Sequence, residues 1–136
     1  LKHLSRTRLL VHLVDLAPFD GSDPAADAVA VVGELVRFSP ELAARERWLV
    51  LNKTDLVSSD EAERLEKSVC AALGMSGGGD AEVRVYRISA LTGQGTERLT
   101  RDLMTRLEQL TAEADAVGAA SATTENQAGG EREDRA

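Results

Sequence analysis

Three short runs rich in β-branched and large apolar residues punctuate the chain: LLVHLVD at 9–15, WLVLN at 48–52 and VRVYRIS at 83–89. Each is followed by apolar positions at helical spacing. After the first, Asp23-Pro24 sets a capping residue before a proline at the first helical position, and Ala28, Val29, Val32, Leu35 and Val36 form the stripe. After the second, Ser58 and Glu61 have capping-box spacing, Leu65, Val69 and Ala72 line one face, and Gly74 is the stop. After the third, the stripe is Leu99, Leu103, Leu107 and Leu110. Strand and helix alternate three times, which predicts an α/β fold with a parallel sheet and crossover helices. The 9–15 run is nearly continuous in apolar residues, as expected of a strand covered on both faces. His12 interrupts it and reads as a satisfied core or sheet-face histidine rather than a catalytic one.

Composition narrows this picture. A chain of 136 residues is one domain at most. It is 43% hydrophobic but only 3% aromatic, so its core must be built from Leu, Val and Ala. A formal net charge of −7 argues against a broad nucleic-acid-coating surface. Lys2, Arg6 and Arg8 read first as a solvated helix end. Cys70 is the one cysteine, so there is no disulfide framework, which fits a reducing, cytoplasmic setting. No apolar run approaches the ~18 residues of a membrane span, and no charged-then-apolar leader opens the chain. Leu1 in place of Met predicts a piece of a longer protein. From Thr111 the last 26 residues carry six acids against two arginines, a net −4 of the −7, and nothing apolar larger than Val117. That composition predicts a disordered acidic tail at 111–136 behind a domain at 1–110.

The second run ends unusually. WLVLN leads straight into Lys53, Thr54 and Asp55, an amide, a cation and a carboxylate placed where most strands need only a turn. Open parallel sheets bind ligands at the carboxyl ends of their strands. Asn52 to Asp55 lie at that end of the second strand, and Ser89, Ala90 and Leu91 at that end of the third. Both polar stretches therefore face one rim.

An ionised carboxylate only accepts, and it accepts at two oxygens. Guanine presents two parallel donors, its ring N1–H and its exocyclic amino group, and adenine lacks that pair. Asp55 aimed at this edge selects guanine, with charge-assisted bonds of roughly 1.5–3 kcal/mol each. The Asn52 amide can donate to the imidazole side of the ring while its oxygen ties neighbouring loops together. The Lys53 stem can lie along the purine face with its ammonium in water. The Ala90 N–H is placed to meet the guanine carbonyl.

NKTD resembles the NKxD guanine-specificity motif of the P-loop GTPases, and SAL followed by TGQG resembles their second base-recognition segment. The phrases LKHLSRTRLLVHLVDLAPFDGSDP and ELAARERWLVLNKTDL narrow the resemblance to the Obg family, bacterial GTPases associated with ribosome assembly. It covers roughly residues 1 to 110. It implies a three-layer, parallel-sheet P-loop GTPase-like fold, truncated to about three β-α units. It also implies nucleotide-binding roles for Asn52, Lys53, Thr54, Asp55, Ser89, Ala90 and Leu91. The implied ligand is GTP or GDP, with a ribosomal subunit, its RNA or its proteins as partner of the intact protein.

Departures from the family are equally legible. No G-x-x-x-x-G-K-[ST] phosphate loop occurs in the sequence, nor an Asp-x-x-Gly whose Asp and backbone would sense the γ-phosphate. Mg²⁺ is therefore expected only in the intact protein, and the chain by itself is expected not to hydrolyse GTP. The alternative is a non-catalytic α/β interaction module that docks a ribosomal or protein partner. Other signals are weaker. Gly93-Gln94-Gly95 would place the third glycine of a dinucleotide fingerprint at Arg98, so those glycines read as a turn into the last helix. Gly77-Gly78-Gly79 reads as a loop tip. Asp15, Asp20 and Asp23 lack the further ligands of a calcium loop, Asp23 reads as a cap, and neither a metal site nor a catalytic residue is assigned.

Overall fold

The computed structural model describes residues 8–74 and 84–135. Lys2, Arg6, Val83 and the Gly77-Gly79 loop lie outside the described residues. Strand β1 is Leu9–Asp15, followed by helix α1 (Pro24–Phe38), a one-turn helix α2 (Pro40–Ala43) and strand β2 (Glu46–Asn52). A 3₁₀ turn, Thr54–Leu56, leads to helix α3 (Ser59–Ala72), strand β3 (Val85–Arg87) and helix α4 (Thr96–Arg135). The three strands form one parallel sheet in the order β1-β2-β3. Its register runs from Leu9 opposite Glu46 to Asp15 opposite Asn52, and from Leu49 opposite Val85 to Leu51 opposite Arg87.

Local sequence explains where the helices begin. Asp23 caps α1 by accepting from the Ala25 N–H at 3.3 Å, with Pro24 at a position that needs no donor. Ser58 caps α3 by accepting from the Glu61 N–H at 3.2 Å. Ser39, whose capping role the sequence reading passed over, starts α2 through the Leu42 N–H. Gly74 ends α3 with φ +69°, a backbone conformation only glycine adopts cheaply.

Two crossovers that step in the same direction place their helices on the same face of the sheet. The core shows this: Val14 and Leu16, Leu49 and Leu51 meet Ala25 and Ala28 of α1 and Ala62, Leu65 and Val69 of α3. On the opposite face Trp48 stacks on Tyr86, Arg84 covers Trp48, and Arg98 from the first turn of α4 lies over Tyr86. β2 is buried on both faces, whereas Val11 and Leu13 of β1 are exposed. The expectation of a first strand covered on both sides is therefore met by the second strand.

One further expectation shifts. The buried positions of α1 are Pro24, Ala25 and Ala28, and Val29 and Val36 face outward. Val29 lies about 100° around the helix from Ala28. Helix α4 runs from Thr96 to Arg135. The chain divides into two units, Leu1–Thr100 and Arg101–Ala136, the second helical through Arg135. No helix among the described residues is long and apolar enough to cross a membrane.

Candidate functional site

The two polar stretches do meet, and backbone bonds join them first. The Ile88 N–H donates to Leu51 O at 2.8 Å and the Thr54 N–H to Ile88 O at 3.3 Å, so the chain after β3 is pinned to the turn after β2. The Leu16 N–H donates to Asn52 O at 3.0 Å, extending the β1–β2 pairing past the end of β1. Residues 89–94 then close on themselves: the Ser89 N–H donates to Gln94 O and the Gly93 N–H to Ser89 O. Gly95 leaves this turn at φ +79°, where a Cβ would lie 2.5 Å from Arg87 O, so only glycine fits.

Side chains complete the junction. Asn52 Oδ1 accepts from the Ala90 N–H at 2.9 Å. A backbone N–H can only donate, which fixes the amide orientation and leaves both Asn52 N–H donors free of partners among the described residues. The Ser89 hydroxyl donates to Asp55 Oδ1 at 2.9 Å and accepts from the Thr92 N–H at 3.1 Å. Ser89 is fully buried, while Asp55 is exposed and keeps its second carboxylate oxygen open. Ala90 and Leu91 are also exposed, Leu91 to 86%. Thr54 serves through its backbone and borders a separate small cleft of about 220 Å³ with Ser58, Arg87 and Gln94.

Lys53 has φ +71° and ψ +35°, the one non-glycine residue in the left-handed region among the described residues. An L side chain there costs roughly 1–2 kcal/mol. Its ammonium pairs with Asp15 Oδ2 at 3.2 Å and makes a long 3.5 Å contact to Ala17 O.

Asn52, Lys53, Asp55, Ser89 and Ala90, expected on one rim, are brought together there. The Ala90 N–H, expected at a ligand carbonyl, is taken by Asn52 Oδ1, because the same Asn oxygen that ties the loops needs a donor to tie to. Asp15, weighed in the sequence only as a cation ligand, instead partners Lys53; the signal for that role was its place at the end of β1. A cleft of about 670 Å³ beside Lys53, lined by Leu13, Asp15, Phe19, Asp27 and Val31, was not read from the sequence. His12 lies in its wall, 7% exposed, with neither ring nitrogen hydrogen-bonded among the described residues. Burial, reinforced by the Arg47 charge, pushes its pKa below the ordinary value. His12 is thus a sheet-face histidine, as expected, but an unsatisfied one.

The arrangement presents donors at Asn52, an acceptor at Asp55, an aliphatic stem at Lys53 and an exposed apolar residue at Leu91. It can hold a flat, polar-edged ring. Among the described residues no group of three or more His, Cys, Asp or Glu gathers to hold a metal ion. No protein-family model matches the chain.

Proposed function

We propose that this chain carries the guanine-recognition half of an Obg-type, P-loop GTPase-like domain, binding GDP or GTP through the base. One observation carries the reading: the Asn52–Ala90 and Ser89–Asp55 hydrogen bonds sew the ends of two strands together and leave an amide donor and a carboxylate acceptor open on the rim. In this reading Asp55 takes the N1–H and amino group of guanine, and Asn52 donates to the imidazole edge. Lys53 and Leu91 flank the ring. A guanine carbonyl brought to Ala90 shares that N–H with Asn52 Oδ1. In this reading phosphate binding, Mg²⁺ and hydrolysis fall to the intact protein, because the phosphate-loop sequence does not occur in these residues, and a ribosomal subunit is the intact protein's proposed partner.

A second reading is a non-catalytic interaction module. It is favoured by Phe19, Leu56 and Leu91, three large apolar residues exposed on loops at the carboxyl ends of the strands. Titration of the chain with GMP and AMP, followed at the amides of 52–55 and 89–91, separates the two. Base contacts alone predict binding of GMP in the millimolar range, about 4 kcal/mol, with AMP weaker. Equal responses to both nucleotides would sink the guanine reading.

A further inference from the structure

We propose that Asp15 is a positioning residue for base recognition: it anchors the Lys53 ammonium so that the Lys53 stem is held where a purine ring stacks. The proposal rests on the reading of this rim as a guanine site.

The fold brings the pair together by register. Asp15 is the last residue of β1 and lies opposite Asn52, so the residue after Asn52 emerges beside the Asp15 carboxylate. Lys53 adopts the left-handed conformation that Gly or Asn would adopt at less cost. A strained backbone that retains a long side chain points to a use for that side chain. The turn sends the ammonium back over the end of β1, to Asp15 Oδ2 at 3.2 Å and Ala17 O at 3.5 Å, rather than outward. The two side chains are 31% and 43% exposed, so the pair is open to solvent and contributes little to folding. What it does is restrict a stem with four rotatable bonds. Lysine loses that freedom when it packs against a ring, and an anchor already in place removes part of the loss before the ligand arrives.

Asp15 acts on the ring face and Asp55 on the ring edge, and this difference supplies the test. Asp15→Ala should weaken GMP and IMP by the same factor, about two- to fivefold, the range of a solvent-open ion pair. IMP lacks the exocyclic amino group, so Asp55→Ala should instead change the ratio of GMP to IMP. Lys53→Met keeps an unbranched stem and removes the ammonium; it should reproduce the Asp15→Ala loss, and the double variant should lose no more than either single one. NMR titration of the whole chain reads all of these. An unchanged GMP affinity in Asp15→Ala, or a loss additive with Lys53→Met, overturns the role of Asp15 while a wild-type preference for GMP over AMP keeps the base reading. A wild-type chain that does not distinguish GMP from AMP overturns both. Should Asp15→Ala perturb β1, Lys53→Met alone decides, since its side chain begins beyond the sheet: full GMP affinity in that variant overturns the anchor.

Discussion

Ser89 and Asp55, separated by 34 residues, are joined by a 2.9 Å hydrogen bond whose donor is completely buried. The serine hydroxyl uses both of its capacities, donating to the carboxylate and accepting from the Thr92 N–H. Ser89→Ala leaves that N–H without its partner and Asp55 without its anchor. We expect a loss of about 1–3 kcal/mol in folding stability, the range for an unmade buried hydrogen bond. Urea denaturation measures it, and GMP affinity should fall in parallel.

Gly95 and Gly21 form a controlled comparison. Both have positive φ, +79° and +73°, but a Cβ at Gly95 would collide with Arg87 O while one at Gly21 meets nothing within 4 Å. Gly21→Ala should cost only the left-handed backbone term, about 1–2 kcal/mol. Gly95→Ala adds displacement of the backbone that carries Ser89, so its urea midpoint should fall further and its response at 89–91 to GMP should disappear.

His12 predicts a pH dependence of stability. Its folded pKa lies below the ordinary value of 6.5, first because of burial and then because of Arg47. The unfolded chain therefore binds more protons as pH falls through this value, and stability rises with pH in that window. The contribution is fully present above 6.5 and is lost as pH falls toward the lowered folded value. Urea midpoints measured from about pH 7.5 down to pH 5.5 should decline in the wild type and stay flatter in His12→Val. Because both ring nitrogens lack partners among the described residues, the valine variant should also be at least as stable at neutral pH.

Among the described residues, β1 has no strand on its outer edge, and Val11 and Leu13 are exposed on one face of it. An open apolar edge of this kind templates association. The chain should self-associate with rising concentration, and Leu13→Lys should shift it toward monomer by gel filtration. A wild type that remains monomeric at high concentration would show the edge to be harmless.

Much of this was legible along the chain because the signals were local. Asp23-Pro24 and Ser58 mark helix starts through bonds to residues two or three positions away. The meeting of Asn52 with Ala90 followed from one topological rule, that parallel strands end on the same rim. What was not legible depended on neighbours far in sequence. Val29 and Val36 sit in a plausible stripe, yet which side of α1 faces the sheet is decided by the crossover. The Ala90 N–H is a free donor in sequence and an engaged one in space. Lys53 gives no sign in its side chain that its backbone is left-handed, and Asp15 acquires its partner only through the β1–β2 register.

The central claim is that Asp55 reads guanine through two parallel donors. Asp55→Asn exchanges an acceptor pair for one acceptor and one donor, so its amide would face the guanine amino group donor against donor. Xanthine carries a carbonyl at that position and would accept from the same amide. Losing the charge-assisted bond and leaving polar groups unpaired should cost roughly 2–4 kcal/mol for guanine, about one and a half to three decades in affinity. The decisive measurement is parallel titration of wild type and Asp55→Asn with GMP and XMP. The account predicts GMP preference in the wild type and XMP preference in the variant; an unchanged preference for GMP in Asp55→Asn would contradict it.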